Sequence, residues 1–414
     1  MSRNVDWSKL CPDLLRSIFE SLSSLDFHRA KTVCSNWYTV SRTCPLYPWR
    51  IVLQGQNSLL YDPIQDKIYH KNLLGIDLSE VHCLASYSNW LLLVDPCLHF
   101  HLLNVFTRET INLPSLDSSL RDTPYRFIRN DLFECFLELY GTKFLVTWDD
   151  FKFSKTAVLW INERNGDFIV AWAIKQFYIF SYKKMANDGD DERWSITCTQ
   201  CEDMAYKDNK LYVYTYDHYI NVLDFSGDYP KDTLEGNHYL NHPFPFVDTI
   251  YKMRISIANS GEVLIALSLK EINRKFCICK LNLEVGEWER VDSLGDEMLI
   301  FGHGVTIRGP VKDRGIKCDS ICFIDDDHLS DNYLATRRDA NCGVFDLATR
   351  RITWHTRLDD RSSKIYWINL PSMKSLLRGQ ASFHRKDQWE RLGDRSNVTS
   401  SSISACVWYE EENW

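Results

Sequence analysis

Two periods of apolar residues divide the chain. Between Pro12 and Leu22 the side chains Leu14, Leu15, Ile18, Phe19 and Leu22 recur every three or four positions, the spacing that lines them up along one stripe of an α-helix. A proline costs nothing in the first turn, where its missing N–H has no intrahelical partner. Ser23 and Ser24 interrupt the stripe, and the period resumes at Phe27, Ala30, Val33 and Cys34. Trp37 and Val40 mark a third helix before Pro45 and Pro48 end the pattern. Three such short helices bury only a small core, so part of their apolar surface is expected to face a partner or the rest of the chain.

From Trp49 onward the period shortens to runs of β-branched and aromatic residues broken by turn residues. Strands are predicted at Trp90–Val94, Thr156–Ile161, Leu211–Thr215, Val263–Leu269, Phe276–Leu281 and Ser320–Ile324. One motif recurs among them: an Asp or Asn closing an apolar run, with a new run under way six residues later. It pairs Asp62 with Ile68, Asn104 with Thr110, Asn162 with Phe168, Asn282 with Trp288 and Asp346 with Ile352, and more weakly Asp224 with Pro230. An Asx turn explains it, the side-chain oxygen accepting from backbone N–H groups while the chain reverses. The anchors are 42, 58, 62, 58 and 64 residues apart, near the roughly 40 to 50 residues of a propeller blade once longer loops are admitted. A four-stranded sheet cannot cover both its faces alone, and radial stacking completes the core while limiting open edges. The expected fold is a small all-α domain followed by an all-β propeller of about six or seven blades. The kelch and WD repeats do not fit, because there is no Gly-Gly pair and Trp148-Asp149 is the only WD dipeptide.

Composition sharpens the picture. The 414 residues are 44% hydrophobic and 25% charged, ordinary values for a globular protein. A formal charge of −8 argues against a surface built to coat nucleic acid or anionic lipid, so the expected partners are proteins, with no nucleic acid and no membrane among them. The longest apolar run, Phe168–Ile174, falls far short of the roughly 20 residues of a membrane-spanning helix. Asp6, Lys9 and Asp13 interrupt the stretch where a secretory signal would need its apolar segment, which leads to the expectation of an intracellular protein, cytoplasmic or nuclear. The 14 cysteines are spread thinly and several, such as Cys277 and Cys279, lie in apolar runs, so reduced and mostly buried thiols are expected. In that setting the glycosylation triplet at Asn397 has no chemical meaning.

The residues themselves resemble a known family. Trp7 to Leu15, then Ile18-Phe19, Leu22, Asp26, Arg29, Val33-Cys34 and Trp37, are similar to the F-box motif LPxDLLxxIFxxL…D…R…VCxxW. One departure stands out: Cys11 holds the place of the motif's proline, and Pro12 follows it. The resemblance implies a Skp-type adaptor as partner, docked by Leu10, Pro12, Leu14, Leu15, Ile18 and Leu22, with Val33 and Trp37 closing the small core or its rim. The same residues packing a plain helical cap is the alternative. Trp288 to Asp296, Leu299 to Gly302 and Asp319 to Asp326 resemble the plant KIB-type β-propeller, and so do Trp90–Leu93, Leu103–Arg108, Gly343–Leu347 and Trp367-Ile368. The combination implies the substrate-recognition subunit of an SCF-type ubiquitin ligase, tied through the adaptor to a cullin and holding an unidentified protein substrate. A propeller scaffold whose F-box no longer engages a ligase is the alternative, raised by Cys11. The domains are expected at 1–48, 49–372 and, as a polar and partly disordered tail, 373–414.

Candidate chemistry is sparse. There is no Walker A loop, GxSxG elbow, HExxH or kinase signature, which leads to the expectation of a non-catalytic protein without cofactor or metal. Cys198 and Cys201 form a CxxC with no second pair at zinc-site spacing. His99 and His101 alternate on a predicted strand and share a face, but packed or surface histidines explain them better than a metal site. Asn187–Glu192 and Asp325–Asp327 read as acidic turns, Phe301–Gly304 as a glycine turn, and Arg337-Arg338 and Arg350-Arg351 as short basic pairs among acids.

Overall fold

The computed structural model describes residues 6–22, 30, 33–41, 48–54, 57–62, 67–70, 81–105, 107–116, 125–129, 135–139, 142–147, 156–162, 165–174, 176–185, 193–216, 219–227, 229–233, 250–257, 261–269, 276–282, 287–295, 297–302, 305–310, 318–324, 342–354 and 364–369. The expected polar tail, the acidic turns at 187–192 and 325–327, Arg337-Arg338 and Asn397 lie outside them, as does most of the expected second helix. A 3₁₀ turn at Trp7–Lys9 leads into α1 (Pro12–Ser21), and α2 spans Ser35–Ser41. Everything described from Pro48 onward that is regular is strand.

In chain order the strands are β1 (Pro48–Gln54), β2 (Asn57–Asp62) and β3 (Lys67–His70); then β4 (His82–Tyr87), β5 (Trp90–Val94), β6 (Phe100–Asn104) and β7 (Thr110–Asn112). A short meander follows, β8 (Tyr125–Arg129), β9 (Cys135–Leu139) and β10 (Thr142–Val146). Next come β11 (Ala157–Ile161), β12 (Phe168–Ile174), β13 (Tyr178–Lys184) and β14 (Ser195–Cys198); β15 (Asp203–Lys207), β16 (Lys210–Tyr214), β17 (Ile220–Asp224) and β18 (Lys231–Asp232); and β19 (Ile250–Ile257), β20 (Val263–Leu269), β21 (Phe276–Asn282) and β22 (Glu287–Val291). The last are β23 (Glu297–Gly302), β24 (Val305–Pro310), β25 (Ser320–Ile324), β26 (Cys342–Asp346), β27 (Arg351–Trp354) and β28 (Lys364–Asn369).

Three of the six predicted strands match residue for residue, two differ by one residue at one end, and the strand predicted at Leu211–Thr215 lies one residue earlier, at Lys210–Tyr214. The ring is closed by the two ends of the strand-rich region. β28 pairs antiparallel with β1, Trp49 opposite Ile368 and Leu53 opposite Lys364, to complete blade I (β28-β1-β2-β3). Blades II (β4–β7), III (β11–β14), IV (β15–β18) and V (β19–β22) are plain four-stranded meanders. Innermost strands touch in the order β28, β4, β11, β15, β19, and β24 of a five-stranded sheet (β24-β23-β25-β26-β27) meets β19 on one side and β4 on the other.

The expected six or seven like blades are therefore corrected to five four-stranded blades among the described residues. The five-stranded sheet breaks the meander because β25 returns parallel to β23, Leu299 opposite Ile321. The third sheet type, β8–β10, occupies the interval between anchors Asn104 and Asn162, which spacing alone could not distinguish from loop. It sends Leu137 and Val146 into the core shared by blades II and III.

The recurring Asp and Asn positions also divide on inspection. Asp62, Asn104, Asp224, Asn282 and Asp346 stand at the hairpin between the two outermost strands of their sheets, whereas Asn162 stands between β11 and β12, the two innermost of blade III. Among the described residues Asx turns form at three of them: Asn104 Oδ1 accepts from Thr107 N at 3.1 Å, Asp224 Oδ1 from Ser226 N at 2.7 Å and Asp346 Oδ1 from Thr349 N at 2.8 Å, while the turns after Asp62 and Asn282 lie outside the described residues. After Asn162 the turn is held by backbone instead, Gly166 N donating to Asn162 O at 2.9 Å. Gly166 has φ +80°, and Arg108 and Arg350 take the same left-handed conformation at the corresponding place.

Between blades lies apolar packing. Phe100 of blade II stacks on Trp172 of blade III at 5.1 Å, and Trp172 on Phe180 at 4.4 Å. Trp194 Nε1 donates to Pro114 O at 2.9 Å across the same junction. The run Phe168–Ile174, whose length excluded a membrane span, is β12, all seven residues buried between β11 and β13. Among the described residues no helix is long and apolar enough to cross a membrane. Among the described residues one ion pair with both side chains buried joins neighbouring blades. Arg254 of β19 donates to Asp203 of β15 at 3.2 Å, and the other carboxylate oxygen accepts from Ile255 N at 2.8 Å.

Ten cysteines whose side chains are described are all free: Cys83, Cys201, Cys277, Cys279 and Cys322 are buried, Cys34 is half-buried, and Cys11, Cys97, Cys198 and Cys318 are exposed. Burial thus holds for half of these ten thiols rather than most, because Cys11 stands at the start of α1, Cys198 at the end of β14, Cys97 in a turn and Cys318 in a bend beside strands.

Candidate functional site

The helical head is built from the inside out by two aromatic residues. Leu15 and Phe19 stand at i and i+4, so they line one side of α1 and are fully buried, and Leu22, just past the helix in extended conformation, packs against them. Phe19 meets Trp37 of α2 edge to face at 5.6 Å and 78°. Trp37 Nε1 then donates to Trp7 O at 2.9 Å, and Asn36 Nδ2 donates to Ser8 O at 3.1 Å and Leu10 O at 3.0 Å. The 3₁₀ turn is thereby tied down from behind by α2. It is capped in front by Asp6, which accepts from Ser8 N at 3.2 Å and Ser8 Oγ at 2.6 Å. These bonds to Ser8, then the Lys9 ammonium 3.1 Å away, hold the Asp6 carboxyl below its usual range. α1 begins at Pro12 with no side-chain cap from Cys11.

What this core leaves outside is apolar. Trp7 is 59% exposed, Leu14 56% and Val33 58%. Pro12 is exposed, and Leu10, Ile18 and Leu22 are half-buried against the core. Leu14 and Ile18 stand one turn apart on α1, so the exposed leucine continues into a half-covered isoleucine. A monomer gains nothing from holding these three large side chains in water, whereas a partner that covers them gains about 25 cal/mol per Å² of apolar surface removed from solvent.

The expected docking residues therefore separate. Pro12, Leu14 and Val33 are free to touch another molecule, and Leu10, Ile18 and Leu22 offer their edges. Leu15 does not belong with them: it is 0% exposed, because the stripe that contains Phe19 must face α2. Trp37, expected at the core or its rim, is in the core. Two residues gained a place that their letters did not announce. Trp7 is an exposed ring whose carbonyl is a structural acceptor, and Asn36 is a polar tie between α2 and the 3₁₀ turn; only long-range hydrogen bonds, across 30 and 26 to 28 residues, assign those roles.

The other candidate motifs come apart in space. His99 precedes β6 and sits 3.0 Å from Asp95, while burial pushes the His101 imidazole below its ordinary pKa. Cys198 ends β14 exposed, while Cys201 is buried and its thiol is pushed well up by desolvation. Phe301 and Gly302 end β23. Arg350 and Arg351 form a turn and the start of β27. Among the described residues no three metal-ligating side chains cluster.

Comparison with known proteins agrees with the order of the two parts. The F-box domain model matches residues 7–49, and the KIB1-4 β-propeller model matches residues 60–346. An Arabidopsis thaliana F-box protein, At2g33190, is 73% identical over 374 residues, covering 89% of this chain and 99% of that one. F-box only protein 7 of the same organism is 45% identical over 392 residues, covering 89% and 95%. The F-box protein KIB4, also from Arabidopsis thaliana, is 36% identical over 320 residues, covering 71% and 77%.

Proposed function

The chain belongs to the F-box proteins that carry a KIB1-4 β-propeller, and we propose on that premise that it is the substrate-recognition subunit of an SCF-type ubiquitin ligase. An F-box followed by a propeller implies such a role in general, with a Skp-type adaptor as the immediate partner. The finer reading is that residues 1–48 dock the adaptor, residues 49–372 hold a protein target, and 373–414 form an appended tail. The observation that carries it is the set of large apolar side chains, Trp7, Leu14 and Val33, left more than half exposed beside a core that is already closed. In this reading the chain supplies no nucleophile or base. It raises the local concentration of target lysines near ubiquitin carried elsewhere in the complex, and proximity supplies the rate.

The test is capture of a purified Skp-type adaptor by the full chain and by a Leu14→Ala/Ile18→Ala variant, with far-ultraviolet circular dichroism confirming that the variant is folded. Buried anchors at such interfaces cost about 2 kcal/mol or more each when truncated, so binding should fall at least a hundredfold. Undiminished capture by the double variant would overturn the docking surface. Failure of the wild-type chain to bind any such adaptor would favour the scaffold reading that the uncapped Cys11 start of α1 keeps open.

A further inference from the structure

The head accounts for one partner, and the propeller carries a second surface of different chemistry. In an antiparallel blade the turn between the second and third strands lies at the same end as the link to the next blade. For blades III and IV three such segments are described: Gln176-Phe177, the link Thr199–Glu202, and Thr215-Tyr216. Hydrogen bonds bring them together. Phe177 O accepts from Thr199 N at 3.0 Å, Gln176 O from Cys201 N at 2.8 Å and Tyr214 O from Glu202 N at 2.8 Å. Asn221 Nδ2 donates to Thr199 Oγ1 at 2.7 Å, and Thr156 Oγ1 donates to Glu202 O at 3.1 Å, so both blades and their link form one fixed platform.

Three features of that platform point outward. Phe177 is 49% exposed and Tyr216 is 61% exposed, two aromatic rings at equivalent turns of neighbouring blades. Gln176 holds φ +59°, a left-handed conformation unfavourable for a residue with a Cβ, and so presents Phe177 from a strained turn. Between the two turns Glu202 is half-buried, and its carboxylate makes no hydrogen bond or ion pair with a described residue. In the same link the buried Oε1 of Gln200 also lacks a donor among the described residues. The neighbouring Asp203 is already engaged by Arg254 and Ile255.

We propose that this end of the III–IV junction is a docking site for a lysine or arginine side chain carried by a protein partner. The carboxylate of Glu202 supplies the counter-charge, and Phe177 and Tyr216 supply π faces for the cation or its alkyl stem. Desolvation of Glu202, to which the charge on Asp203 adds, works against the ionised form, and a bound cation relieves both. An acidic or purely apolar partner would relieve neither. The inference deepens the substrate-receptor reading by naming a chemical group that the target presents.

The experiment measures fluorescence polarisation of fluorescein-labelled octalysine with the full chain near 0.15 M salt, against octaglutamate. Glu202→Gln should weaken octalysine binding about tenfold, and Phe177→Ala/Tyr216→Ala about fivefold. Glu287→Gln, which removes the same charge from an exposed position of blade V, should leave binding within twofold. Equal losses for Glu202→Gln and Glu287→Gln, or no binding of octalysine, would overturn the site. Adaptor capture by Glu202→Gln should match the wild-type chain, so a failure here and a failure of the head's docking role are read separately.

Discussion

Asp203 and Arg254 join the inner strands of blades IV and V with both side chains about 5% exposed, and their removal one at a time should show how much one charge pair decides in a ring of apolar contacts. Asp203→Ala leaves a guanidinium that cannot deprotonate buried without that carboxylate, and strips Ile255 N–H of the acceptor it has at 2.8 Å. Breaking a buried pair from one side costs about 3 to 5 kcal/mol, a large part of the roughly 5 to 15 kcal/mol that holds an ordinary domain folded. Arg254→Met should cost less. Burial already pushes the Asp203 carboxyl above its ordinary pKa, with Arg254 and Ile255 N–H pulling it part of the way back, so a stranded Asp203 escapes by taking up a proton. The double variant Asp203→Ala/Arg254→Met removes both charges together and leaves chiefly the Ile255 N–H unsatisfied, at about 1 to 3 kcal/mol. Urea unfolding followed by tryptophan fluorescence gives all four stabilities. The double variant should be markedly more stable than the sum of the single losses implies. Single losses below about 0.5 kcal/mol, or losses that simply add, would refute the claim that the pair acts as a buried unit.

Two further outcomes follow from local geometry. A Cβ on Gly343 would meet Phe323 Cζ at 2.8 Å, Thr353 O at 3.2 Å and Ile352 Cγ2 at 3.3 Å, so Gly343→Ala should destabilise the five-stranded sheet by about 1 to 3 kcal/mol, read as a lower urea midpoint; an unchanged midpoint would show that the Phe323 ring yields freely. Burial and the charge on Asp203 raise the Glu202 carboxyl above its ordinary 4.5, so its contribution to stability is full below that pH and lost as pH rises through the folded value. Glu202→Gln should therefore raise the thermal midpoint at pH 7, with the gain disappearing near pH 4; a lower midpoint at pH 7 would mean that Glu202 has a stabilising partner.

Much of the molecule is written locally. A 3.6-residue period over Pro12–Leu22 and a proline suited to N1 are enough to place α1 within one residue, because a short amphipathic helix is decided by its own spacing and first turn. Runs such as Trp90–Val94 and Val263–Leu269 are strands for the same local reason, and an Asn or Asp at a run's end marks a turn wherever its oxygen can reach the next N–H groups, as at Asn104, Asp224 and Asp346.

The rest depended on which segments meet. Spacing could not separate β8–β10 from loop, nor foresee that β25 would return parallel to β23, because strand partners are chosen by packing across distant parts of the chain. Leu14 and Leu15 are the same residue type side by side, yet one is more than half exposed and the other has no exposure; only the approach of Phe19 and Trp37 chooses between them. Glu202 is likewise an ordinary acid in its own strand-flanking segment. It becomes distinctive where two blades press their turns around it, since burial and the nearness of another charge belong to the assembled ring and not to any stretch of letters.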